Sequence, residues 1–168
     1  ARGRVVHSLL EKLPALDAQL RRAAAHAIVQ KLQRHVSPSD EALISSVMNI
    51  IDRPDLAMLF GPQARAEVTI TGRWTAPDGT AHDIFGIADR VAVMADVAWV
   101  ADFKTGPAPP RSAKDTSAGI VRQLALYQAA LRAIVAPRPV RCLVIWTEGP
   151  VVHELHQAQL NAALDAPE

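Results

Sequence analysis

The chain has one cysteine, few aromatic residues, no long apolar run and a net charge of only +1, and each scarcity narrows what it can be. A lone Cys142, set in the apolar run Cys142-Leu143-Val144-Ile145-Trp146, excludes a disulfide framework within the chain, a cysteine zinc site and a cysteine-held iron–sulfur cluster. Aromatics make up 4% of the residues, which disfavours a stacking platform for single-stranded bases. No apolar stretch approaches the roughly 20 residues of a membrane span. What is present is a 49% hydrophobic share against 21% charged, a balance that builds a core and opposes disorder. At 168 residues the expectation is one domain.

The small net charge hides an uneven distribution. Residues 1–36 carry seven Lys/Arg against two acids, 37–102 carry four against ten, and 103–168 carry seven against five. An acidic centre between basic ends suits a metal site with a phosphate-binding rim. A module that only binds nucleic acid would show a stronger positive balance.

Periodicity divides the chain in two. Val5, Val6, Leu9, Leu10 and Leu13 form a helical stripe that ends at Pro14. Asp17 is placed as an N-cap for a second helix, Ala18 to about Val36, with Arg21, Arg22, Lys31 and Arg34 on its wetter side. Ser37-Pro38-Ser39-Asp40-Glu41 starts a third helix reaching about Ile51, and Pro54 to Phe60 fits a short fourth. Residues 1–61 are thus read as a helical region and 62–168 as sheet and catalytic core.

From Gly61 the period becomes two. Glu67, Thr69, Thr71 and Arg73 alternate with Val68, Ile70 and Trp74, Pro77-Asp78-Gly79-Thr80 is a hairpin turn, and the return strand spans about Ala81 to Met94. A third strand, Val97 to Lys104, completes an antiparallel meander. Residues 106–116 are Pro-rich and aperiodic, hence an exposed, mobile loop. A helix from about Ser117 to Val135 follows, with Ile120, Leu124, Tyr127, Leu131 and Ile134 as its apolar stripe. A buried strand, Val140 to Thr147, a short edge strand, Val151 to Leu155, and a terminal helix close an α/β chain with a central mixed sheet.

Chemistry concentrates at the end of the third strand. Asp102 and Lys104 share a face because side chains alternate, with Phe103 turned the other way. Asp89 and Asp102 lie in apolar neighbouring strands, where an unpaired charge is costly. Two acids so placed repel unless a cation lies between them, and a hard divalent ion with oxygen ligands removes that cost. Read alone, Asp102–Lys104 is also a salt bridge, His7 a helix-surface histidine, and Gln123 with Tyr127 the wet shoulder of a helix.

Gly3-x-x-x-His7, Gly86-x-x-Asp89, Asp102-Phe103-Lys104-Thr105-Gly106 and Gln123-Leu124-Ala125-Leu126-Tyr127, in this order over nearly the whole chain, resemble the nuclease domain of the RecB and AddA helicase-nucleases, within the PD-(D/E)XK superfamily. The resemblance is nearer to the AddA C-terminal domain; the AddB type holds an iron–sulfur cluster, for which this chain lacks the cysteines. It implies His7, Asp89 and Asp102 as metal ligands, joined by the backbone carbonyl of Phe103, with Lys104 as catalytic lysine. Gln123 and Tyr127 match a helix motif that supports the site and contacts DNA. Glu67 falls where an acid often stands on the first strand, with a structural pair to Arg65, Arg73 or Lys104 equally open.

The implied activity is Mg²⁺-dependent hydrolysis of DNA phosphodiesters, with Mn²⁺ able to substitute, as the exonuclease part of a helicase-nuclease in break repair and recombination. Implied partners are single-stranded DNA held through phosphates, helicase domains of the same parent chain and an AddB-like subunit, with no membrane. The Met-less start, Ala1-Arg2-Gly3-Arg4, is read as the beginning of a piece of a longer chain, and the cytoplasm as its compartment. The alternative is a catalytically inactive DNA-binding or assembly module of the same fold.

Overall fold

The computed structural model describes residues 2–33, 37–106 and 108–165. One mixed sheet runs in the order β1-β2-β3-β4-β5, with β1 Ala64–Thr75, β2 Ala81–Val93, β3 Ala98–Lys104, β4 Val140–Trp146 and β5 Val151–Glu154. The first three strands form the antiparallel meander, β3 pairs with β4 in parallel, and β5 returns antiparallel to β4. A parallel pair needs a long crossover, and helix α5, Ala118–Val135, lies in the connection.

Helices cover both faces. On one lie α1 Arg2–Lys12, α2 Ala18–Gln33, α3 Pro38–Ile51 and α4 Ala57–Phe60. Their Leu9, Leu10, Ile44, Val47 and Leu59 pack with Ala101, Phe103, Leu143 and Ile145 of the sheet. On the other lie α5 and α6, Gln157–Asp165, whose Leu124, Ala125, Leu131 and Leu160 meet Val100, Cys142 and Val144. Alternation along β3 and β4 thus feeds two cores, the reason both strands read as continuous apolar runs. Cys142 is fully buried, and burial pushes its thiol up to about 12, as an inert structural cysteine requires. No helix among the described residues is long and apolar enough to cross a membrane.

Local chemistry explains the breaks. Pro14 ends α1 in a 3-10 turn, Leu13–Ala15, and the Ser37 amide donates to Asp40 Oδ2 at 2.9 Å in a capping box that starts α3. At the start of α2 the Asp17 carbonyl accepts the Leu20 N–H. The expected end of α2 at residues 34–36 lies outside the described residues.

Two expectations change. Ile134 is 74% exposed, and the buried line of α5 runs through Val121, Leu124, Gln128, Leu131 and Val135. Helical spacing of three and four selects this line equally well, and packing against both the sheet and α6 decides between them. The Pro-rich loop is exposed at Arg111, Ser112, Lys114 and Asp115, as expected, but it is anchored: a capping box fixes Ser112 to Asp115, Thr116 is buried, and the Pro110 carbonyl meets His153 Nε2 at 2.9 Å.

Candidate active site

The site grows from a place where strand pairing stops. The β2–β3 ladder runs from Val93 opposite Ala98 to Arg90 opposite Ala101, and the same register one step further sets Asp89 against Asp102. On the other side of β2, Glu67 falls between the pairs Ala66–Arg90 and Val68–Ala88, so it stands opposite Asp89. Three carboxylates therefore form a row across three strands. Like charges directly opposite one another destabilise a bare sheet.

The backbone is distorted at the same row. Glu67 has φ 51°, a left-handed conformation that costs a non-glycine residue on the order of 1–3 kcal/mol. On β2, Ala88 and Val91 both join the core under α5 while Ala92 joins the core under α1, so the in–out alternation slips at Asp89-Arg90. Arg90 is buried; its guanidinium lies 5.2 Å from the Phe60 ring centroid and donates to the Leu10 carbonyl of α1. That bond ties β2 to the helix that carries His7.

His7 Nδ1 lies 3.2 Å from Asp89 Oδ1, and Asp89 Oδ2 accepts the Phe103 amide at 2.6 Å. The second contact satisfies a backbone donor where the ladder ends. Donor atoms of His7, Glu67 and Asp89 lie within 4.8 Å of one another. One turn before His7, a Cβ on Gly3 would stand 3.1 Å from Thr105 Oγ1 just past β3, so the glycine lets α1 approach the strand's end.

Lys104 Nζ is 2.6 Å from Asp102 Oδ2, although the two are not aligned as a hydrogen bond. The contact is an ion pair between a buried acid and a partly exposed ammonium. The Lys104 main chain is pinned: its carbonyl accepts the Thr147 N–H at 2.9 Å and the Thr147 hydroxyl at 3.3 Å. Ser46 of α3 in turn donates to the Thr147 carbonyl.

Protonation follows this crowding. Burial raises the Asp102 pKa, and Asp89 adds to the rise while Lys104 opposes it. Burial and Asp89 also raise Glu67, and the hydrogen bond to Asp89 raises His7. Three neighbouring groups thus hold protons more tightly than usual, Asp102 and Glu67 chiefly through burial and His7 through Asp89. Oxygen donors with one imidazole suit a hard divalent cation, which the residues present fit.

Gln123 and Tyr127 reach this site through β2. Gln123 Nε2 donates to the Tyr127 hydroxyl, which donates to the Ile87 carbonyl, both at 3.2 Å, two residues before Asp89. A Cβ at Gly86 would stand 2.2 Å from the Tyr127 oxygen. The glycine of one motif is therefore the space occupied by the tyrosine of another.

His7, Glu67 and Asp89 are brought together, Asp102 and Lys104 are paired beside them, and Phe103 joins through its amide. Sequence reasoning left Glu67 open, and none of the three cations it offered is its partner. Arg65 donates to the Pro62 and Ala64 carbonyls, Arg73 pairs with Asp83 at 2.9 Å, and Lys104 holds Asp102. A signal was available: Glu67 and Asp89 lie at equal distances in sequence on either side of Asp78 in the hairpin turn. Arg90 had no such signal, because its partners come from elsewhere in the chain.

The sequence profile of the PD-(D/E)XK nuclease superfamily matches residues 1–165. No protein among curated ones matches the chain. Among solved structures, the crystal structure of SSO0001 is similar over 94% of this chain and 71% of that one, at 15% identity and a TM-score of 0.40.

Proposed function

The chain belongs to the PD-(D/E)XK nuclease superfamily, and from that premise we propose that it hydrolyses DNA phosphodiesters with a divalent metal held by His7, Glu67, Asp89 and Asp102. The observation that carries this reading is the row of three carboxylates at the end of the β2–β3 ladder, with His7 within reach on one side and Lys104 on the other. A divalent ion bound there neutralises phosphate charge and lowers the pKa of water.

The chain's own groups have separate tasks. Asp89 holds the His7 ring and the Phe103 amide at once, which fixes α1 and β3 against each other. Asp102 holds the Lys104 ammonium at the site. Lys104 orients the attacking water, takes up its proton when neutral, and as the ammonium meets negative charge gathering on the phosphoryl oxygens. The Phe103 carbonyl adds a main-chain oxygen, while Gln123 and Tyr127 hold β2 and face the DNA.

Mg²⁺ is the proposed ion, with Mn²⁺ as a substitute. In keeping with the motif resemblance, the domain is proposed as the exonuclease part of a cytoplasmic helicase-nuclease acting in break repair and recombination. Single-stranded DNA, helicase domains of the same parent chain and an AddB-like subunit are its proposed partners.

Mn²⁺ titration followed by electron paramagnetic resonance tests the metal assignment. The wild type should bind the ion, Asp89→Ala should lose binding by tenfold or more, as loss of a ligand implies, and Lys104→Ala should retain it. Equal binding by wild type and Asp89→Ala would remove the metal from this place.

A further inference from the structure

β1 is the outermost strand of the sheet, 12 residues long and paired with β2 alone. Every second residue of such a strand turns its N–H and C=O outward, where they form a ready template for another strand. Charged side chains usually blunt an edge of this kind, yet the stretch Val68-Thr69-Ile70-Thr71-Gly72 carries none. Helix α5 lies over the same stretch: a Cβ at Gly72 would stand 3.0 Å from Ala130 Cβ. Between strand and helix runs a groove of about 330 Å³, lined by Val68, Ile70, Val91, Leu131, Ile134 and Val135. Of these, Ile134 is 74% exposed, an apolar side chain that the fold itself leaves in water.

We infer that this edge pairs with the same edge of a second copy of the chain, β1 against β1 in antiparallel about a two-fold axis at Ile70. The strand's own sequence selects both the occupant and the register. With the axis there, Ile70 meets Ile70, Thr69 meets Thr71, Val68 meets Gly72, and Glu67 meets Arg73 at each end of the uncharged stretch. Threonine pairs and opposite charges directly across from each other favour strand pairing. Moving the axis to Thr69 sets Arg65 against Arg73, and moving it to Thr71 sets Glu67 against Thr75, so the neighbouring registers oppose like charges or lose the charge pair. Arg73 holds Asp83 at 2.9 Å, and its guanidinium has further N–H donors for Glu67 of the second copy. Val68 and Ile70 face α5, so pairing joins the two grooves and covers Ile134 of both copies. It also brings a cation from the second copy to the Glu67 end of each carboxylate row. A two-fold pairing of this kind closes on itself and leaves no edge for further copies.

The test is sedimentation equilibrium of wild type, Ile134→Lys and Arg73→Glu over a range of concentrations reaching about 100 μM, in EDTA so that no ion competes with Arg73 for Glu67. Both side chains are largely exposed, so the variants should fold, and thermal melts check that they do. The expected result is a wild-type mass approaching twice the 18.1 kDa of the chain, with dimerisation weakened about tenfold or more in each variant. The register is read by mixing Thr69→Cys with Thr71→Cys under mild oxidation. Directly opposed positions lie within disulfide reach, so the mixture should form a cross-linked dimer faster than either variant alone. A wild type that stays monomeric throughout would overturn the pairing and leave the groove to a segment of another protein. A dimer that both substitutions leave intact, or one without the mixed disulfide, would place the contact elsewhere and overturn it equally.

Discussion

Glu67 combines a left-handed backbone, a carboxylate opposite Asp89 and a raised pKa, all unfavourable to an empty sheet. Glu67→Gln should therefore stabilise the metal-free protein by about 0.5 kcal/mol, or roughly 1–2 °C in Tm, while weakening metal binding. Calorimetry in EDTA checks the first outcome and Mn²⁺ titration the second; a less stable metal-free variant would contradict it. His7, Asp102 and Glu67 hold protons more tightly folded than unfolded. Protons at these groups stabilise the fold below the ordinary values of 3.8, 4.5 and 6.5 for Asp102, Glu67 and His7, and that stability is lost as pH rises through each raised pKa. Metal-free melts from about pH 5 to about pH 8 should show a falling contribution that Asp89→Asn flattens. Because the imidazole must be neutral to bind an ion and its hydrogen bond to Asp89 raises its pKa, Mn²⁺ affinity should weaken on acidification, and activity at sub-saturating metal with it.

At the scale of elements, Gly86 and Tyr127 couple β2 to α5. Gly86→Ala places a methyl within 2.2 Å of the Tyr127 oxygen and 2.7 Å of Cε1, so it should destabilise by about 1–3 kcal/mol. Adding Tyr127→Ala should then cost less than it does in the wild type, since it relieves the clash that the methyl created; strict additivity in denaturant unfolding would mean the two do not touch. Much of this layer was legible in the sequence. The turn at Asp78-Gly79, the change of period at Gly61 and the proline breaks mark the strands and helices within about three residues. What escaped depends on partners distant in the chain: the exposed Ile134, the loop tethered through His153, the buried Arg90 bound to Leu10, and the left-handed Glu67. Alternation puts Asp102 and Lys104 on one face, but only the end of the β2–β3 ladder places Asp89 beside them.

For the whole molecule, charge crowded at one row should make folding and the proposed metal binding interdependent. A cation that binds only the folded state stabilises by about 2.7 kcal/mol at a hundred times its Kd, which for a chain of this size raises Tm by roughly 5–10 °C. Mg²⁺ and Mn²⁺ should do this for the wild type and not for Asp89→Ala, as differential scanning fluorimetry would read. The most direct measurement is cleavage of end-labelled single-stranded DNA by wild type and Lys104→Ala, with and without Mg²⁺, after melts have shown the variant folded. The expected result is Mg²⁺-dependent cleavage by the wild type and a loss of about a hundredfold or more in the variant. Cleavage by folded Lys104→Ala at the wild-type rate would contradict it.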